Sequence, residues 1–213
     1  MSDAKQNFGE MKGAFSKLEG TPFTNFSKPY LDFIGKGKLF VIIYMIMAII
    51  NLLLPFIIIY EVIDSGLFRS GEAKIVFAFI FSWIVIAFAC WIGFQLWWDR
   101  KAKVKAFEDS EFIVTPIFSE IFQTFGEWLG TLIGIIGAGV GLITTIILGE
   151  YAGYLFQAIG MGFMPSGIIA VVAGPLIGFV IIILSRFIAE QMRLLVALVN
   201  NTKSIAANIK EAK

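Results

Sequence analysis

Histidine is missing from the 213-residue chain, and cysteine occurs once, at Cys90. The first absence removes the commonest general base and metal ligand together. The second leaves no internal disulfide and no thiolate zinc cluster. Charge is scarce as well, at 15% of residues, against about 25% in an average soluble domain. Seventeen Lys and Arg oppose sixteen Asp and Glu, so no net field recruits a polyanion, and nucleic acid is not a partner. What fills the space is apolar: 58% of the residues are hydrophobic. A soluble domain near this size still exposes about a third of its unfolded-chain surface and has nowhere to hide so much of it. The composition excludes a soluble globular domain and a disordered chain.

A bilayer core is crossed by roughly 20 apolar residues in a helix. Four runs qualify: 39–60, 75–98, 128–149 and 168–185, none of which carries a charge. The chain reads as an all-α polytopic membrane protein with four transmembrane helices. The first run begins too late, and is too long, for the apolar core of a cleavable signal. Fifteen of the seventeen Lys and Arg fall in 1–38, 99–127 and 186–213, and only Arg69 and Lys74 fall on the other side. The positive-inside rule therefore predicts that both termini and the middle loop face the cytoplasm. Trp97, Trp98 and Trp128 stand where an inner aromatic belt would lie, and Tyr60, Tyr151 and Tyr154 where an outer one would.

Outside the spans, Phe8, Met11, Phe15 and Leu18 recur at helical spacing among lysines and glutamates. That pattern suits a short amphipathic helix on the cytoplasmic leaflet, or a terminus with scattered apolar residues. From Arg186 to Ala212 there is neither Gly nor Pro, so the fourth span is expected to continue as a long cytoplasmic helix. Its apolar residues Leu195, Leu198, Ile205 and Ile209 form one stripe, which calls for the N-terminal segment, another copy or the bilayer surface as its cover. The connection 150–167 carries a single charge, Glu150, and is expected at the membrane surface or as a re-entrant loop.

Glycine marks the third span. Gly126, Gly130, Gly134, Gly137 and Gly141 share one helix face, and small residues in such a row let two backbones approach closely. Either the fourth span, with Gly174 and Gly178, packs on that face, or a second copy does. Pro55 and Pro175 each remove a helix hydrogen bond and predict a kink. Glu120 and Glu127, seven residues apart, share a face where the third span begins. Glu127 is the acid nearest the hydrocarbon: a candidate proton or cation site, or a carboxylate solvated at the interface or paired with Lys103 or Lys105. Asn51 in the first span is placed to bond a neighbouring helix. Arg186, Glu190 and Arg193 stand four and three apart, spaced for ion pairs along one helix face.

Two stretches carry a family resemblance. "FTNFSKPYLDFIGKGKLFVIIYMIMAIINLLL" resembles the Phe-rich lead and first span of a family of small bacterial inner-membrane proteins catalogued as a domain of unknown function. "GPLIGFVIIILSRFIAEQMRLLVALVNNTKSI" is similar to that family's close, a last span running into an Arg-x-x-x-Glu helix, with Arg186 and Glu190 on the motif. The resemblance covers 21–60 and 174–206 and implies a bacterial inner-membrane location with no assigned activity. The hairpin between them departs from the two-span pattern.

No nucleophile–base pair, phosphate loop or metal constellation is present in the sequence, and nothing calls for a cofactor. The leading expectation is a non-enzymatic membrane scaffold or accessory subunit. It would associate with itself or another membrane protein through the third span or the C-terminal helix. The alternative is a small channel or transporter whose pathway passes Glu127, Asn51, Pro55 and Pro175.

Overall fold

The computed structural model describes residues 38–105, 114–152 and 166–211. Among them there is no strand, and four long helices account for nearly everything: α1 (Lys38–Asp64), α3 (Ala73–Lys105), α4 (Val114–Leu148) and α5 (Gly167–Glu211), with a one-turn α2 (Leu67–Ser70) between the first two. All four long helices are apolar and long enough to cross a membrane. The protein is an all-α, multi-pass membrane protein. Both the amphipathic stretch expected at 1–37 and most of the 150–167 connection, including Tyr154, lie outside the described residues.

The helices are longer than the apolar runs that seed them, and α4 shows why. Its apolar part starts at Trp128, yet the helix begins fourteen residues earlier, at Val114. Pro116 sits in its first turn, where no helical N–H is lost. The polar residues that follow (Glu120, Gln123, Thr124 and Glu127) are satisfied by side chains of other helices and by a helix carbonyl. A polar stretch that finds such partners has no reason to leave the helix. Pro55 and Pro175 both lie inside continuous helices. The last span and its extension form a single helix of 45 residues, about 67 Å at 1.5 Å per residue.

Turns are placed by backbone need. Gly66 adopts φ 77°, a left-handed conformation that glycine takes without a steric penalty, and this reverses the chain between α1 and α2. At the start of α5 the Ser166 hydroxyl accepts from the Ile169 N–H at 3.3 Å, an N-cap that satisfies one of the helix's free donors.

Each long helix packs mainly on its neighbour in the chain, α1 on α3, α3 on α4 and α4 on α5, with the α4–α5 contact the most extensive. One core cluster gathers Tyr44, Ala48, Trp97, Val104 and Ile117 near the start of α1 and the end of α3. Trp97 is buried there, edge-on to Tyr44 with ring centroids 5.0 Å apart. That corrects its expected place in an interfacial belt, since its ring faces the bundle interior. Trp98, the next residue, points the other way and carries Lys101 over its ring. A second cluster centres on Val140 and Ala170 at the far end.

The surface inverts the rule for soluble proteins. Phe56, Ile57, Phe77, Ile146 and Phe179 are exposed, whereas Asn51, Glu120, Thr124 and Glu127 are buried. Lipid is the solvent in which that arrangement is stable, because an apolar face has no reason to leave hydrocarbon and an unpaired polar group has every reason to.

Candidate functional site

The end of α3, the start of α4 and the middle of α5 meet around the two glutamates of α4. Glu120 and Glu127 lie two turns apart on one face, and each is only 4% exposed. The Arg100 guanidinium, from α3, stands between them, bonding Glu120 Oε1 at 3.3 Å with one nitrogen and Glu127 Oε2 with another. Residues from α5 complete the pairing. Arg186 Nε donates to Glu127 Oε1 at 2.7 Å, and Arg193 Nη2 donates to Glu120 Oε2 at 2.7 Å. Lys103 adds a longer contact to Glu120, 3.7 Å.

The neutral groups finish the network. Gln123 donates to Glu127 Oε1 at 2.7 Å and accepts from Arg193 at 2.7 Å, so it links the two halves. Thr124 donates its only hydroxyl proton to the carbonyl of Glu120 at 2.6 Å. The bond between Tyr44 and Thr124, 3.0 Å long, must therefore have the tyrosine as donor. All four carboxylate oxygens are engaged by side-chain donors. In a poorly hydrated setting such a network is strong only while every member is satisfied.

These partners revise two expectations. Glu127 is paired with Arg100 and Arg186, while Lys103 reaches Glu120 instead and the side chain of Lys105 lies outside the described residues. The fork of a guanidinium can join two carboxylates at once, which a lysine's point charge does less well. Nor do Arg186 and Arg193 spend their charge on Glu190 along their own helix. Both reach across to α4, where the carboxylates are buried, and Glu190 faces outward. Arg100, Tyr44, Gln123 and Thr124 were not singled out from the sequence. The one available signal was the Asp99-Arg100 step directly after Trp97-Trp98.

One layer deeper, Asn51 of α1 is 1% exposed. Its Oδ1 accepts from Trp128 Nε1 of α4 at 2.7 Å, and its amide donates to the Met47 carbonyl at 2.8 Å. Pro55 sits a turn further along, and its carbonyl accepts from Trp83 Nε1 of α3 at 2.8 Å.

The glycine row of α4 faces α5. A Cβ on Gly137 would stand 2.7 Å from the Cα of Gly174, and one on Gly141 would stand 2.9 Å from the carbonyl oxygen of Gly167. On Gly130 it would run into the Gly178 carbonyl, and on Gly126 into the Ser185 side chain. Gly134 has more room, with the Cα of Pro175 at 3.7 Å. Backbone touches backbone along this seam, which only residues without side chains permit.

Among the described residues, no three His, Cys, Asp or Glu side chains gather in a way that would hold a metal ion. The cluster's chemistry is that of a clasp: it joins α3, α4 and α5 through charge, with α1 attached by a neutral hydrogen bond. No family model, curated protein or solved structure matches this chain.

Proposed function

We propose that the protein is a non-enzymatic membrane scaffold or accessory subunit that holds a rigid helical arm at a fixed angle to a four-helix membrane bundle. The observation that carries this reading is the course of α5. It is clamped to α4 by the glycine seam and by Arg186 and Arg193, and then continues without a break to Glu211. Beyond the clamp Leu194, Leu195, Leu198, Ile205 and Ile209 are all exposed. The extension lies where positively charged loops gather, so it is read as cytoplasmic, with both termini on that side; the family resemblance is what points to a bacterial inner membrane. A stripe of this kind on a stiff helix suits association with a second copy of the arm.

Support for this reading over a conduction pathway comes from the polar groups. Asn51, Glu120 and Glu127 are committed to side chains of other helices, and an ion passing them would have to displace those partners. Disulfide trapping tests the proposal directly, because Cys90 is the only native thiol. In a Cys90→Ser background, Leu198→Cys is expected to give a crosslinked dimer in native membranes, while Phe179→Cys, on the lipid-facing part of the same helix, does not. Equal crosslinking at both positions, or none at Leu198, counts against the arm as the associating surface.

A further inference from the structure

The charged clasp holds more cations than its carboxylates require. Arg100, Lys103, Arg186 and Arg193 meet only Glu120 and Glu127, which leaves two positive charges uncompensated. Burial decides where they show. The two carboxylate side chains are 5% and 6% exposed, whereas Lys103, Arg186 and Arg193 are 60%, 56% and 41% exposed. Asp99 and Glu190 are exposed nearby, and Lys101, held over the Trp98 ring, offsets one of them. The face that the clasp turns outward stays positive.

The bonding pattern also leaves donors to spare. A guanidinium carries five N–H groups. Arg186 commits its Nε to Glu127, and neither of its terminal nitrogens has a partner among the described residues. Arg193 commits Nη2 to Glu120 and Gln123, which leaves its Nε and Nη1. Gln123 links the two side chains, accepting from Arg193 and donating to the same Glu127 oxygen that Arg186 holds. Each guanidinium is thus fixed at one edge by a buried carboxylate and open at the other. Arg186 directly follows the apolar run 168–185, so its free nitrogens lie where hydrocarbon gives way to headgroups.

We propose that Arg186 and Arg193 bind the phosphate of an anionic phospholipid in the leaflet where α5 leaves the membrane. The terminal nitrogens of Arg186 form the planar fork that takes two phosphate oxygens at once. Phe179 and Ile183, seven and three residues back on the same helix face, are exposed and give an acyl chain its track. A lipid is thereby favoured over a soluble phosphate, which has nothing to hold it at this depth. Zwitterionic lipids bring the same phosphate with a cation attached, which the positive face repels. The site selects headgroup charge as well as phosphate, and it operates whether or not the arm associates.

The test uses the full chain, stripped of lipid in mild detergent. It is titrated with phosphatidylglycerol and with phosphatidylcholine of the same acyl chains, and native mass spectrometry reads the bound fraction. Phosphatidylglycerol is expected to bind at least about fivefold more tightly, the effect of one cation at a charged membrane surface. Arg186→Gln should lower that preference by about fivefold. Glu190→Gln, which removes the exposed acid between the two arginines, should raise it, a gain that no folding defect imitates. Equal affinity of the wild type for the two lipids, an unchanged preference in Arg186→Gln, or no rise in Glu190→Gln would each overturn the assignment. So would release of bound phosphatidylglycerol by inorganic phosphate beyond what sodium chloride of equal ionic strength releases, which would make the ligand a soluble phosphate.

Discussion

Glu127 and Arg186, 59 residues apart in the chain, meet at 2.7 Å and fasten α4 to α5 where the helices leave the apolar layer. The carboxylate is buried and the guanidinium half-exposed, so the glutamate depends on the pairing more than the arginine does.

Removing that carboxylate should be costly. Glu127→Gln leaves Arg100, only 15% exposed, without one of its two counter-charges. Breaking a buried pair from one side typically destabilises by about 3–5 kcal/mol, and the lower end applies here because Arg100 keeps Glu120. Thermal unfolding in detergent is expected to show a clear drop in midpoint. Adding Arg100→Met to Glu127→Gln should recover part of the loss, and a further drop would argue against the clasp.

Alanine along the glycine row should separate tight from loose positions. Gly137→Ala would place its methyl 2.7 Å from the Gly174 backbone, which cannot give way, so the helices must part. Overpacking of this kind costs about 1–3 kcal/mol. Gly134→Ala meets only the Cα of Pro175 at 3.7 Å, ordinary contact, and is expected to be neutral. Equal midpoints for the two variants would contradict the seam as described.

Asn51 and Trp128 form a pair suited to a double-mutant cycle. Trp128→Phe strands the Asn51 Oδ1 in a site that is 1% exposed, at a cost of about 1–3 kcal/mol. Asn51→Leu removes the acceptor and leaves the indole N–H bare. Combined, the two should cost less than their sum. Strict additivity in chemical or thermal unfolding would mean that the bond contributes nothing.

Sidedness is open to direct measurement. In the Cys90→Ser background, Glu72→Cys is expected to react with a membrane-impermeant maleimide from the outer face. Ala206→Cys should react only after the vesicles are inverted. The reverse pattern would overturn the charge-based orientation.

The four spans were legible because a charge inside hydrocarbon is expensive and its absence over some twenty residues leaves a visible gap. The glycine face was legible too, since a spacing of three and four is itself a geometric statement about a helix. The partners in the clasp were not. Spacing shows that Glu120 and Glu127 share a face, and likewise Arg186 and Arg193, but not which way either face turns. Periodicity within a helix favoured bonds along α5, whereas the buried carboxylates of α4 drew those arginines across. Arg100 escaped notice for the same reason: next to Trp97 and Trp98 it looked like a boundary marker. The helix α4 starts ahead of the third apolar run because hydropathy reports where lipid begins, and helical hydrogen bonding does not stop there.

Two smooth backbones in contact could slide past each other, and glycine does little to stop them. The charged pairs do. Seven residues forward along α4, from Glu120 to Glu127, correspond to seven residues back along α5, from Arg193 to Arg186. A slip of one helical turn, about 5.4 Å, would break both rungs together and leave the two buried carboxylates to Arg100 and Lys103 of α3 alone. The seam sets how close the helices come, and the rungs index where they stop. The reach of α5 beyond the bundle is thereby fixed to the nearest turn.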